Sequence, residues 1–355
     1  MSRAPLSGRS GSAQLAGSAS GVASGPADGV ALARLAPRNP AEIAGVRQMA
    51  EASQRVAVVL APRLGDSLLM LTIAQNLRAA GREVCVYGDY ARALADWLPG
   101  LAVCPALAEA QATETLRGFD LCLQMHVDWP FSLCAYHPQA LYYDGLVRVT
   151  GRGFTKLDQI VRFCHHYLGL TQATADDGMR APEPHSWRRH PRRVVIHPTS
   201  TGAQRCWAPR HFRTLGLRLQ DQGFEPCYIV SPAERPDWLW VRELGLGLPE
   251  LPSLSAVAGF IHQSGWFIGN ESGIGHLSSS VGVPTLSLTG RPTRTRCWLP
   301  AWSPAAFVYP KWLIGGRLRD RYWRTALTPG EVLRAFARLR AQVEEGLQPP
   351  GFLGG

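Results

Sequence analysis

Several features are missing from this chain of 355 residues, and each absence narrows the field. No run of 18 apolar residues occurs, so no membrane-crossing helix is expected. The N-terminus lacks the apolar core of a signal peptide, which points to a cytoplasmic protein. The eight cysteines (85, 104, 122, 134, 164, 206, 227 and 297) show no CxxC spacing, and several fall inside strand-like runs. Buried, reduced thiols are therefore expected, not a zinc site or a disulfide framework. There is no Walker A sequence, no GxGxxG after the first strand and no GxSxG elbow. These gaps argue against P-loop, dinucleotide-binding and α/β-hydrolase chemistry. No Asp-x-Asp pair is present to hold a metal–diphosphate, so no metal is expected at the site. There is no long block of one charge: Lys+Arg 37 and Asp+Glu 27 give a net charge of +10, spread mostly over scattered arginines. That balance favours nucleotides or an acidic lipid surface over nucleic acid as the partner.

What is present is organised around residues 266–288, with the core string FIGNESGIGHL at 267–277. It reads as a short strand (266–268), a glycine-rich turn, a small-residue helix (274–281) and another strand (284–288). Gly269, Gly273 and Gly275 permit a sharp turn and the close approach of a ligand. A turn feeding a helix N-terminus offers free N–H groups and the positive end of the helix dipole, which suits a diphosphate. Glu271, Ser272 and His276 add polar groups there.

Along the chain, residues 1–40 are rich in Gly, Ser and Ala, with too little apolar surface to offset ordering, and are expected to be disordered. A short helix is expected at 41–53. Residues 56–60 are an apolar run typical of a strand buried on both faces. A helix at 68–80, a strand at 83–87, a helix at 91–98, strands at 102–104 and 121–125, and a helix at 156–168 follow. This alternation predicts a parallel, doubly wound sheet. Residues 126–152 are irregular and rich in aromatics and histidine, including His126 and Trp129. Residues 171–192 have the proline-rich, basic composition of a linker. A second alternating unit has strands at 194–198 and 226–230 and helices at 210–222, 234–244 and 254–263, then the glycine-rich motif. Residues 291–325 read as irregular, and 329–345 as a final amphipathic helix. The division expected is an N-terminal Rossmann-like domain over 54–185, a C-terminal one over 192–328 and a C-terminal helix over 329–347, the two domains facing a cleft.

Ligands of open α/β sheets bind beyond the carboxyl ends of the strands. Asp66 sits there, just before a helix, where it either takes a proton from a substrate hydroxyl or caps the helix. Arg205, in the loop after strand 194–198, either pairs with phosphate or is a solvated surface group. Thr199, Ser200 and Thr201 place hydroxyls in the same loop. Glu234 opens a helix and either binds a ribose or favours the helix N-terminus. His276 is either a core histidine or a donor to a phosphate or leaving-group oxygen.

Four segments in this order resemble the heptosyltransferase family, inverting GT-B glycosyltransferases of the lipopolysaccharide core: VAVVLAPRLGDSLL (56–69), VIHPTSTGAQRCWAP (195–209), VSPAE (230–234) and FIGNESGIGHL (267–277). The resemblance implies two Rossmann-like α/β domains, the first binding the acceptor and the second the nucleotide sugar, with no cofactor. It implies that Asp66 is the catalytic base. It implies that Thr199, Ser200, Arg205, Glu234, Glu271, Ser272, Gly273 and His276 bind the nucleotide sugar. The default donor is ADP-heptose and the acceptor a glycan or glycolipid, with peripheral contact at the acidic inner face of the bacterial inner membrane. Glu271 departs from the family, which usually has Asp there. Arg291, in Gly-Arg-Pro-Thr at 290–293, is an insertion that would add a phosphate contact. Two other readings of the same residues are a GT-B-shaped binding protein without transfer activity and a two-domain nucleotide-sugar epimerase.

Overall fold

The computed structural model describes residues 40–146, 154–290, 296–311 and 316–346. The expected disorder of 1–40 and the phosphate contact expected of Arg291 lie outside these residues. Helix α1 (Pro40–Ala52) buries Val46 and Ala50. Then come β1 (Arg55–Val59), α2 (Leu64–Ala79), β2 (Glu83–Tyr87), β3 (Ala102–Cys104), β4 (Leu121–Gln124), β5 (Ala140–Tyr142) and α3 (Lys156–Tyr167). These strands form one sheet in the order β3-β2-β1-β4-β5, all parallel. The second run is β6 (His190–His197), α4 (Pro209–Asp221), β7 (Glu225–Tyr228), α5 (Leu254–His262), β8 (Ser264–Asn270), α6 (Gly273–Ser280), β9 (Thr285–Leu288), β10 (Ala305–Val308), α7 (Gly316–Ala326) and α8 (Pro329–Glu344). Its sheet runs β10-β9-β8-β6-β7, again parallel. Two doubly wound parallel sheets are therefore present, as the alternation predicted.

Helix α2 explains how the two sheets are joined. Its stretch Leu68-Leu69-Met70-Leu71 is apolar on every side, so it must be covered on every side. All four are at most 1% exposed. One continuous apolar cluster runs from Val56 and Leu68 to Phe267, Leu277 and Val283, from β1 and α2 into β8 and α6. Separate clusters fill the outer face of each sheet, around Tyr142 in the first and Trp207 and Phe336 in the second. Each large side chain so buried contributes roughly 1.5–3 kcal/mol.

The structure corrects several readings. Helix α2 begins at Leu64, not 68, so Asp66 lies inside its first turn and not in the loop before it. Pro62 and Gly65 make 61–67 read as loop, yet the helix starts directly after extended Arg63 without a side-chain cap. Asp66 does not cap the helix. The span 126–152 contains β5, and 291–325 contains β10 and α7. The strands were missed because each has only three or four residues, and α7 because its Arg-rich sequence holds few apolar residues. The helix expected at 234–244 splits at Leu239 into a 3-10 turn (Arg235–Trp238) and a short helix (Trp240–Glu243), since Pro236 interrupts the regular pattern. No disulfide joins the cysteines, but only Cys122 and Cys164 are fully buried; the other six are half-buried. Among the described residues, no helix is long and apolar enough to cross a membrane.

Candidate active site

In each sheet the strand order reverses at one point, and the loops leaving the strands on either side of it form a natural ligand crevice. In the first sheet the reversal falls between β1 and β4, which end in register, Val59 beside Gln124. Asp66 follows β1 and His126 follows β4. In the second sheet it falls between β6 and β8, with His197 beside Gly269. Thr199 and Ser200 follow β6, and Glu271 to His276 follow β8. The polar residues singled out from the sequence thus leave strands beside the two reversal points, apart from Arg205 further along its loop and Glu234 after β7.

The two crevices meet where the first turn of α2 touches the first turn of α6. A Cβ placed on Gly273 would lie 2.8 Å from Leu64 Cβ and 3.2 Å from the Gly65 nitrogen. A Cβ on Gly65 would lie 3.4 Å from His276 Cδ2. Only residues without side chains allow the two helix ends to come this close. Ser272 caps α6, its hydroxyl accepting from the Gly275 N–H at 3.4 Å. His276 is 5% exposed, edge-on to Trp298 and Trp302, with Nδ1 lacking a hydrogen-bond partner among the described residues. Burial pulls its pKa down to about 4, partly offset by the charge of Asp66. The ring is therefore neutral at pH 7. Asp66, 5% exposed, faces His126, with Oδ2 3.2 Å from Nε2.

On the second sheet a polar chain connects the remaining candidates. Glu234 Oε2 accepts from the Ser231 N–H at 2.9 Å and the Ser231 hydroxyl at 2.7 Å. Burial works to raise the Glu234 pKa, but the Ser231 bonds and the Thr199 hydroxyl outweigh it and hold the carboxyl below its usual value. Thr199 Oγ1 is 3.2 Å from His197 Nε2, and His197 Nδ1 is 3.3 Å from Ser272 Oγ. His197 is buried, with its pKa drawn down to about 4 by desolvation, so it bridges as a neutral ring. The Ser200 hydroxyl donates to the Glu271 carbonyl at 2.9 Å, fixing the β6 loop to the β8 turn. Glu271 itself is half-buried.

Arg205 stands apart: it ends a 3-10 turn (Ala203–Arg205) and is exposed, with no carboxylate partner among the described residues. Its loop is held from outside by α7, where the Trp323 indole donates to the Gln204 carbonyl and Arg324 Nε to the Cys206 carbonyl. Sequence reasoning named His126 without giving it a role and passed over Asp144, His197 and Asn270. His197 and Asn270 stand inside quoted motifs, and His126 holds the same place after β4 that Asp66 holds after β1. The position after a strand end was the signal available.

Comparison with known proteins agrees with the motif resemblance. Residues 165–308 match the model of glycosyltransferase family 9 (heptosyltransferase), a span that takes in the whole second sheet. Among curated proteins nothing matches. The fold is shared with a glycosyl transferase family 9 protein from Veillonella parvula, at 16% identity and TM-score 0.62, covering 81% of this chain and 97% of that one. It is also shared with ADP-heptose LPS heptosyltransferase II of E. coli, at 17% identity and TM-score 0.58, covering 82% and 99%. Heptosyltransferase WaaC of E. coli, solved with ADP, matches at 15% identity and TM-score 0.58, covering 80% and 99%.

Proposed function

We propose that this chain, which carries the glycosyltransferase family 9 match over its second sheet, is an inverting, metal-independent glycosyltransferase. In this reading it moves heptose from ADP-heptose to a lipopolysaccharide-core or related glycan acceptor. The donor is suggested by the ligands of similar structures, WaaC with ADP and with ADP-2-deoxy-2-fluoro heptose. One observation carries the proposal: the first turn of α2, bearing a buried carboxylate, abuts the first turn of α6, bearing free N–H groups and a neutral histidine. A base and an anion site meet across the junction of the two halves. The domain division 54–185 and 192–328 assigns acceptor and donor to opposite sides of that junction.

The acceptor hydroxyl loses its proton to Asp66 as its oxygen bonds to the anomeric carbon from the face opposite the diphosphate. The bond from the anomeric carbon to the diphosphate oxygen breaks with its electron pair, and the centre inverts. The leaving diphosphate is met by the N–H groups of Gly273 and Ile274, the positive end of α6, His276, the hydroxyls of Thr199 and Ser200, and Arg205 on its buttressed loop. Glu234, held as a carboxylate by Ser231, accepts from the ribose hydroxyls. Glu271 reaches the donor sugar. Charge neutralisation by these groups leaves no step that needs a metal. Lipid contact falls to the exposed face of α7, where Leu318 (55% exposed) and Tyr322 (45% exposed) lie beside Arg317 and Arg321, a face suited to acidic lipid on the inner surface of the inner membrane.

Thermal-shift measurements with ADP-, GDP- and UDP-sugars test the donor, because a ligand of the native state raises its apparent stability. ADP-heptose is expected to give the largest shift. Asp66→Asn should keep that shift and lose turnover by ~10²–10⁴-fold. Turnover of this variant at the wild-type rate would refute the base, and activity abolished by EDTA and restored by magnesium would refute metal independence.

A further inference from the structure

Behind Asp66 lie two groups without a part in the steps above. His126 follows β4, and Asp144 lies in the short helix Tyr143–Leu146. His126 Nε2 is 3.2 Å from Asp66 Oδ2, and its Nδ1 is 2.6 Å from Asp144 Oδ2. Lys156 Nζ stands 4.0 Å from the other Asp144 oxygen and over the rings of Tyr143 and Trp298. The imidazole packs on Trp129 at 5.5 Å between centroids, and Arg63 covers that indole at 4.9 Å. Asp66 Oδ1 has no hydrogen bond among the described residues.

We infer that His126, clamped by Asp144, is a positioning residue for the base: as an imidazolium it donates to Oδ2 of Asp66, fixes the carboxylate plane and leaves Oδ1 to receive the acceptor proton. The inference rests on the reading of Asp66 as the base. An imidazole can donate through both nitrogens only when doubly protonated. Once neutral it keeps one N–H, and the shorter contact retains it on Nδ1 for Asp144. The Nε2 lone pair then faces Asp66 Oδ2 and repels it. The charged groups around the ring are Asp144 and Asp66, which favour the proton, and Lys156 and Arg63, which oppose it; His276, neutral across the junction, adds nothing. The carboxylates prevail: the Asp144 bond first, then the Asp66 bond, raise the His126 pKa to about 9 against partial burial. The oriented state therefore persists through neutral pH and is lost as pH rises through about 9.

The test uses the full chain, with nucleotide release from ADP-heptose as the turnover probe and ¹⁵N-histidine NMR as a probe independent of activity. Asp66→Asn is measured first. If it releases nucleotide at the wild-type rate, the base reading fails, and this inference with it. If it is silent, the base stands and the remaining variants decide. His126→Phe should lower kcat by on the order of 10²-fold, as expected for a misplaced reacting group, with the donor KM unchanged. His126→Gln, a neutral donor, should recover part of that loss and show no alkaline limb near 9, having nothing there to titrate. Asp144→Asn keeps the imidazole but should move the limb of kcat down toward the ordinary histidine value of about 6.5. By NMR, wild-type His126 should stay doubly protonated at pH 8 and lose a proton there in Asp144→Asn. Wild-type kcat and pH profile in His126→Phe and Asp144→Asn, or a wild-type ring titrating near 6.5, would overturn the inference while leaving Asp66 as base untouched.

Discussion

The two ends of the loop that carries Thr199, Ser200 and Arg205 are tied to each other by one buried side chain. Asn270, the last residue of β8, is 0% exposed. Its Oδ1 accepts from the Trp207 N–H at 2.9 Å, and its Nδ2 donates to the Pro198 carbonyl at 2.6 Å. Pro198 and Trp207 bracket the loop. Asn270→Ala leaves one buried N–H and one buried carbonyl without partners, at about 1–3 kcal/mol each. A loss of about 4 kcal/mol is expected, a large fraction of the ~5–15 kcal/mol that holds a folded domain together. The loop, with the tie between its ends lost and only the Ser200 and α7 contacts left, should also bind ADP more weakly. Asn76 is a control remote from the loop. It is 5% exposed in the first half, where it donates to the Thr72 and Thr174 carbonyls and accepts from the Thr174 N–H. Asn76→Ala should cost less, since Thr174 is exposed and water can take over its bonds, and should leave ADP affinity intact. Urea unfolding gives the first quantity, and calorimetric titration with ADP under conditions where every variant is folded gives the second. Stability within about 0.5 kcal/mol of wild type for Asn270→Ala, or equal loss of ADP affinity in both variants, would refute this reasoning.

The helix junction is tested with glycines. Gly273→Ala forces Leu64 and Gly65 away and should lower turnover, whereas Gly275→Ala meets only ordinary contacts, Phe267 Cε1 at 3.7 Å and Ser287 Oγ at 3.8 Å, and should fold as stably as wild type by thermal melting. His197 and His276 fall from the ordinary 6.5 to about 4 on folding, so their contribution is intact above pH 6.5 and is lost as pH falls toward 4. That amounts to about 3 kcal/mol per ring, and chemical denaturation between pH 7 and 4 should show a slope that flattens when either is replaced by Gln. Asp177 runs the other way: burial raises its pKa to about 7, so Asp177→Asn should gain stability above pH 7 in the same measurement. Replacing Leu318 and Tyr322 with Ser should reduce sedimentation with anionic vesicles and leave the ADP thermal shift unchanged.

Long, strongly patterned elements were legible in the sequence because their burial is uniform. The run at 56–60 covers β1, and the glycine-rich motif gave β8, α6 and β9 within a few residues. Short pieces were not legible: three residues of β5 or four of β10 hold too little pattern to rise above the surrounding aromatics. For the site, local sequence offered a carboxylate at a strand end but not its neighbours. His126 is 60 residues from Asp66, and only the pairing of β1 with β4 brings them together. The polar chain from Glu234 to Ser272 likewise depends on β6 lying between β7 and β8. Arg205 is the reverse case, conspicuous in sequence yet exposed and apart from the other candidates in the fold.

Helix α6 has eight residues and is therefore about 12 Å long. Its N-terminal end abuts Leu64 and Gly65, and its other end is gripped from the segment between the sheets, where Ser280 Oγ donates to Asp177 at 2.5 Å and the Trp187 indole to the Gly282 carbonyl at 3.0 Å. In mechanical terms it is a short beam clamped at both ends by residues outside its own sheet. A beam so held does not tilt at one end alone: if a diphosphate binds at its tip as proposed, any displacement there loads the far clamp, one helix length away. Substitutions at Asp177 or Trp187 should therefore change the stiffness with which the proposed anion site is presented to the proposed base.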